Sequence, residues 1–157
     1  IPGVIACAII LLAYKKQGLS FIVATGLAVV VSDVILHQLI KPLVGRVRPC
    51  HALEILRHIA NCSGSFSFPS NHAANAFTVA TIASLGFRKA AVMTPLFIIA
   101  TIIALSRVYL GQHYPTDILM GALWGSGAGY LGHKADPKIL QYLNTWPKIE
   151  QWTSQKS

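Results

Sequence analysis

Four runs of this chain, residues 19–40, 71–87, 90–106 and 115–133, are apolar over roughly the 17–25 residues that a helix needs to cross hydrocarbon. A fifth run, residues 2–14 ("PGVIACAIILLAY"), has the same character. It carries neither the basic lead nor the small-residue cleavage site of a secretory signal. It reads as most of another span in a chain whose beginning is missing. Of all residues 54% are hydrophobic and only 11% charged, against roughly a quarter charged in soluble domains. The expected fold is therefore an all-α, multi-pass transmembrane helix bundle forming one domain over residues 1–157. Five spans are visible, and six are expected once a missing N-terminal helix is counted. Within the last span Gly121, Gly125 and Gly129 recur at four-residue spacing, a face on which another helix can approach closely.

The net charge is +8, and its placement matters more than its size. Lys15 and Lys16 fall in one expected loop, Arg88 and Lys89 in another, and Lys134, Lys138, Lys148 and Lys156 follow the last span. With alternating helices these share one side, which the positive-inside rule makes cytoplasmic. Lys41, Arg46, Arg48, Arg57 and Arg107 fall on the opposite side, against that tendency, and so point to an anionic ligand there. Nucleic acid is not the partner expected, because no basic stripe is interleaved with exposed aromatics. The sequence carries no signal that sets an oligomeric state.

The longest stretch outside the spans is residues 41–70, an outer-face loop. Within it "HALEILRHIAN" sets Leu53, Leu56 and Ile59 on one helical face, as in a helix lying in the membrane interface. Cys50 and Cys62 bracket this loop. In an oxidising compartment they can bridge and pin it, while two free thiols fit the same spacing. The tail, residues 134–157, reads as a cytoplasmic, interfacial segment anchored by Tyr142, Trp146 and Trp152.

Three clusters of polar residues fall on the expected outer face. In "KPLVGRVRP" Lys41 and Arg48 stand seven apart, two helical turns, so on a continuous helix they share a face and can clamp one anionic group or two adjacent phosphates. A juxtamembrane cluster touching lipid headgroups is the plainer reading. In "FPSNH" Ser70 is a good N-cap, so Ser70, Asn71 and His72 sit at a helix N-terminus, where free N–H groups favour an anion. Simple capping explains the same residues. In "SRVYLGQHYPTD" His113 and Asp117 are four apart, so a carboxylate can hold an imidazole in one tautomer, with Arg107 nearby. A satisfied buried pair is the alternative, although ionisable groups at membrane depth are functional suspects by default.

Taken together, the clusters supply cations and helix N–H groups for phosphate oxygens, one histidine to attack and one to protonate a leaving group. A metal mechanism fits poorly, because the chain holds only five acidic residues and the cluster is positively charged. No metal and no cofactor is expected. Asp33, His37 and Lys41 are spaced by four, so Asp33 is expected either to help position Lys41 or to satisfy a contact between helices.

The motifs, Lys41 and six residues before Arg48-Pro49, Pro69-Ser70-Asn71-His72, and Ser106-Arg107, five residues, His113, three residues, Asp117, resemble the three signatures of the type 2 phosphatidic acid phosphatase (PAP2) superfamily. They occur in order and cover about half of the chain, residues 41–117. One departure is Asn71, where the family usually has Gly; its backbone N–H survives the change. The resemblance implies a PAP2/haloperoxidase-like six-helix membrane phosphatase that works without metal on lipid phosphates at the extracytoplasmic surface. It implies His113 as the nucleophile of a phosphohistidine intermediate, Asp117 to orient it, and His72 as general acid. Lys41, Arg48, Ser70 and Arg107 would bind the phosphate, with Asn71 contributing at the helix start. The short chain is unlike the soluble vanadium haloperoxidases of the superfamily. It looks like the small bacterial members that act on lipid A 1-phosphate, phosphatidylglycerophosphate or undecaprenyl diphosphate in the inner membrane. Two other readings use the same basic face, a non-enzymatic module binding anionic lipid and a fragment completed by a partner helix.

Overall fold

A computed structural model describes residues 2–53 and 62–145, with side chains placed from Gln17 onward. Among the described residues there are helices and no strands. The order is α1 (Pro2–Ile35), a π-helical turn (Leu36–Ile40), α2 (Lys41–Val44), α3 (Pro49–Ala52), α4 (Asn71–Phe87), α5 (Ala90–Tyr109) and α6 (Pro115–Thr145).

Local chemistry sets most of these boundaries. Ser70 is extended and its hydroxyl accepts from Ala73 N, so α4 begins at Asn71 as an N-cap serine dictates. Arg88 closes α4 in the left-handed region at φ 50°, and Lys89, extended, opens α5. Gly45, at φ 62°, ends α2 in the left-handed conformation that glycine adopts without steric cost.

Helix α4 is the centre of the bundle and packs on α1, α5 and α6, most extensively on α6. Small side chains make this possible. Ala73, Ala74, Thr78, Ala80 and Ala83 are buried on α4, and Gly121, Gly125 and Gly129 are buried on α6. A Cβ on Gly125 would run into the backbone of Ala74, so the helices touch backbone to backbone there. The expected glycine face is thus the α4–α6 seam. The outside is the reverse: Leu27 and Val30 of α1, Ile102 and Leu105 of α5, and Leu123 and Leu131 of α6 are each more than half exposed. Such a surface suits hydrocarbon and is a liability in water.

By length and apolarity two helical stretches, Gln17–Ala52 and Ala90–Tyr109, are sufficient to cross a membrane. Helix α4 is shorter, at 17 residues, and α6 carries glycine on its buried face while α5 is built from larger apolar side chains. Two expected boundaries are corrected. Lys15 and Lys16 lie within α1 and not in a loop, since nothing in "AYKKQ" breaks a helix and lysine and glutamine are good helix formers. Residues 2–14 and 19–35 are therefore one continuous helix. The last span also runs on to Thr145, so the tail expected from residue 134 begins as helix. Tyr142 lies on it, exposed. Trp146, Trp152 and most of the interfacial helix expected at 51–61 lie outside the described residues.

The bundle has two distinct ends. At one, the rings of Phe21 and Phe87 meet at 5.9 Å, and the Ser20 hydroxyl donates to the Asp136 backbone oxygen at 2.9 Å and to its carboxylate. Arg88, Lys89 and Lys134 cluster by sequence at this end. At the other end α2, α3, the start of α4 and the α5–α6 connection converge, and every motif residue lies there.

Candidate active site

Lys41, 3% exposed, follows the π-helical turn, and its ammonium donates to the carbonyls of Phe66 and Pro69, each at 2.9 Å. π-helical turns recur at functional sites because they re-aim the residues that follow. Lys41 and Arg48 do not share a helical face. Gly45 ends the helix between them, and Arg48 is extended at the start of α3. The loop brings the two side chains together instead. Arg48, 6% exposed, donates from Nε to Ser65 O at 2.7 Å, from Nη2 to Ser65 Oγ at 2.9 Å, and from Nη1 to Gln112 O at 3.1 Å.

The Arg48 Nη1 atom also lies 3.1 Å from His113 Nε2. A guanidinium can only donate, so Nε2 must carry the lone pair and the ring proton sits on Nδ1. That proton faces Asp117 Oδ2 at 3.6 Å and Ser67 Oγ at 3.5 Å. His113 precedes α6 rather than lying on it, and Asp117 is in the first turn, so the expected stacking on one helix becomes contact across a helix start. His113 is 2% exposed and Asp117 fully buried. Burial holds the His113 imidazole below the ordinary histidine range. Its contact with Asp117 pulls the other way, and the Arg48 and Lys41 charges reinforce the depression.

Asp117 is held from every side. Oδ2 accepts from the Ser67 hydroxyl and from Tyr114 N, the latter at 2.9 Å. Oδ1 accepts from Arg46 Nη1 at 2.8 Å. The sequence places Arg46 among the outer-face basic residues but shows neither its hold on Asp117 nor a role for Ser67. Arg46 looked like one more basic residue in the first motif, and Ser67 like part of an irregular loop. The available signal was their place, each two residues before a motif residue or its proline.

His72 is the second residue of α4, exposed at the mouth. Asn71, His72, Lys41, Arg48, His113, His37, Ser63, Ser65 and Gln112 surround a cavity of about 200 Å³. Ser70 and Arg107 are not in its wall. Ser70 is fully buried, its hydroxyl capping α4 and its N–H donating to Asp117 O at 3.1 Å. Arg107 Nη1 faces Gln112 Oε1 at 3.4 Å, and its backbone oxygen receives the N–H groups of Gln112 and His113. Asp33 is not hydrogen-bonded to His37 or Lys41, although its charge still acts on Lys41. The π-helical turn breaks the four-residue register, and Asp33 Oδ1 accepts instead from Asn71 Nδ2 at 2.6 Å and Asn75 Nδ2 at 3.2 Å. Asp33 therefore makes the contact between helices.

Cys50 and Cys62 are disulfide-bonded, and Cys50 N donates to Gly111 O at 2.9 Å. The bond ties α3 to the strand of loop that carries Ser63 and Ser65. A larger apolar groove of about 610 Å³ lies between α1 and α6, lined by Leu27, Val31, Leu123 and Trp124 among others, and has no titratable side chain. The polar cavity is the place for chemistry.

Comparison with known proteins places the chain in a family. A family model described as the PAP2 superfamily matches residues 17–140. A lipid A 4'-phosphatase of Bacteroides thetaiotaomicron is 36% identical over 135 residues, 83% of this chain and 60% of that protein. The chain thus spans about 60% of the length of this curated relative. Among solved structures, the transmembrane PAP2-type phosphatidylglycerolphosphate phosphatase of Bacillus subtilis superposes with a TM-score of 0.61 at 30% identity, over 87% of this chain and 67% of that one. LpxE of Aquifex aeolicus gives 0.62 at 32%, over 80% of this chain and 73% of that one. With its lipid-suited exterior, its helical bundle and the three motifs gathered at one end, this membrane protein belongs to the PAP2 superfamily.

Proposed function

We propose that the chain carries the catalytic centre of a metal-independent phosphatase that removes a phosphate from a membrane lipid through a phosphohistidine. The observation that carries this reading is the pair of buried cations, Lys41 and Arg48, facing His113 without an ion pair to a carboxylate among the described residues. Among the described residues the ion pairs of the site run to Asp117 from Arg46 and His113. Lys41 and Arg48 are fixed by carbonyls and hydroxyls, which hold their geometry without cancelling their charge. A cavity with that charge surplus awaits an anion, and a divalent cation is unsuited to it. Among the described residues the two nearby carboxylates are already engaged, Asp117 by Ser67, Tyr114, Arg46 and His113 and Asp33 by the amides of Asn71 and Asn75.

In this reading His113 Nε2 attacks phosphorus while the bond to the lipid oxygen breaks, and His72 gives a proton to the departing oxygen. Asp117 stabilises the imidazolium character that develops on His113. Water then attacks phosphorus, His72 takes its proton, the N–P bond breaks, and inorganic phosphate leaves. Lys41, Arg48 and the N–H groups at the start of α4, with Asn71, hold the phosphate oxygens. Ser70 serves by capping that helix, and Arg107 by anchoring the backbone of His113 while placing positive charge beside His72.

The relatives named as lipid A and phosphatidylglycerolphosphate phosphatases support a lipid headgroup phosphate, with lipid A 1-phosphate, phosphatidylglycerophosphate and undecaprenyl diphosphate the substrates to try. The disulfide supports a site on the extracytoplasmic face of the inner membrane, where thiols are oxidised. Purified protein should release phosphate from at least one of these lipids in EDTA, and vanadate should inhibit it. His113→Ala should lose at least about 10³-fold in turnover. Unchanged turnover in that variant would falsify the assignment, and a protein that binds these lipids without releasing phosphate would be a binding module.

A further inference from the structure

Arg46 lies outside the cavity wall, yet it grips the segment that follows His113 at three points. Its Nη1 donates to Asp117 Oδ1 at 2.8 Å and to Thr116 Oγ1 at 2.7 Å, and its guanidinium lies 4.2 Å from the centre of the Tyr114 ring. Its backbone oxygen receives Ser67 N at 2.7 Å, and the Ser67 hydroxyl donates to the other oxygen of Asp117. A closed ring results, from Arg46 to Ser67 to Asp117 and back, and it joins the first and third motif segments to the loop leading into the second.

The geometry points to Arg46 as a positioning residue that sets, through Asp117, both the aim of His113 and the pH at which His113 becomes neutral. This inference rests on the proposed role of His113. The physical argument is one of competing claims on a single carboxylate. Asp117 Oδ1 belongs to Arg46, which leaves Oδ2 turned toward His113 Nδ1. The positive charge on Arg46 also offsets the Asp117 charge, so less of it is available to favour a protonated imidazole. The other charged or titratable groups facing His113 are Arg48 at Nε2, Lys41 from α2 and His72 from α4. None of these touches Asp117 Oδ1. With its side chain about one third exposed, Arg46 can be replaced without opening a hole in the bundle.

The sign follows. Removing the cation leaves Asp117 free to stabilise protonated His113, so the titration of His113 moves to higher pH. The test follows histidine resonances of ¹⁵N-labelled protein in detergent across pH, without substrate, alongside the pH profile of phosphate release. Arg46→Gln should shift the His113 titration upward and lower kcat about tenfold or more at neutral pH, with KM little changed. In an Asp117→Asn background the same change should barely move the titration. Arg46→Lys keeps the charge but not the three-point grip. It should leave the titration near its original position while kcat falls, and it decides the matter if the Gln variant does not fold. An unmoved titration in Arg46→Gln, an equal shift in the Asp117→Asn background, or an unchanged kcat in Arg46→Lys would each overturn the inference. A wild-type protein that releases no phosphate would instead overturn the proposed function, since the titration shift is read without turnover.

Discussion

In the proposed mechanism His113 has a narrow task, to present a lone pair on Nε2 at a pH where water keeps most histidines partly protonated. Burial between two cations accomplishes this by penalising the charged ring, and the contact with Asp117 works in the opposite direction. Because the net effect lowers the His113 value, the neutral form persists below the ordinary range near 6.5. The acid limb of kcat/KM should therefore fall below that value, with activity lost only as the pH drops further. Asp117→Asn removes the contribution that favours protonation, so the limb should move lower still while the plateau drops. The expected drop is about 10²-fold or more, as the wrong tautomer becomes accessible. A pH–rate profile of both proteins checks the sign, and a limb that rises in Asp117→Asn would contradict the charge arrangement described here. This is the reverse of the direction expected for Arg46→Gln, so the two variants test the same carboxylate from opposite sides.

The helices place these residues, and Asp33 shows how one helix informs another. A carboxylate within α1 accepts from two amides one turn apart on α4, at the residue beside His72. Both hydrogen bonds go to one oxygen, which an asparagine carbonyl can supply as well. Asp33→Asn should thus keep phosphate release within about threefold, whereas Asp33→Leu strands two amide donors and should cost about 1–3 kcal/mol of stability. Thermal unfolding in detergent and turnover separate the two, and a large kcat loss in Asp33→Asn would mean that its charge reaches the phosphate. At this scale the sequence was readable where a boundary depends on near neighbours. Ser70 before α4, the apolar run of α5 and the glycine spacing of α6 each declare themselves locally. It was unreadable where one residue overrides a periodicity. Gly45 breaks the face assumed to join Lys41 and Arg48, the π-helical turn interrupts the four-residue register between Asp33 and Lys41, and "AYKKQ" carries charge without any helix breaker. The partners of Asp117 lie 50 and 71 residues away, a pairing that only the folded backbone creates.

Across the whole molecule the two ends of the bundle differ in chemistry. One carries Arg88, Lys89 and Lys134 with no motif residue near them, while the other carries the polar cavity and the Cys50–Cys62 bond. The positive-inside tendency and the redox preference of cysteine are independent arguments, and both support the proposal that the cavity faces away from the cytoplasm. The bond also has a job at the site. It closes a loop of about a dozen residues, worth about 3 kcal/mol against the open chain. At the end of that loop Ser65 holds Arg48 through both its carbonyl and its hydroxyl. Reduction should therefore loosen the grip on Arg48 and raise KM for the phosphorylated lipid more than it lowers kcat. In intact cells an impermeant reductant followed by an impermeant maleimide should label Cys62, and phosphate release should weaken in parallel. Labelling that appears only after the membrane is permeabilised would place the cavity on the cytoplasmic side. Labelling without any change in KM would leave the orientation standing but show that Ser65 holds Arg48 unaided.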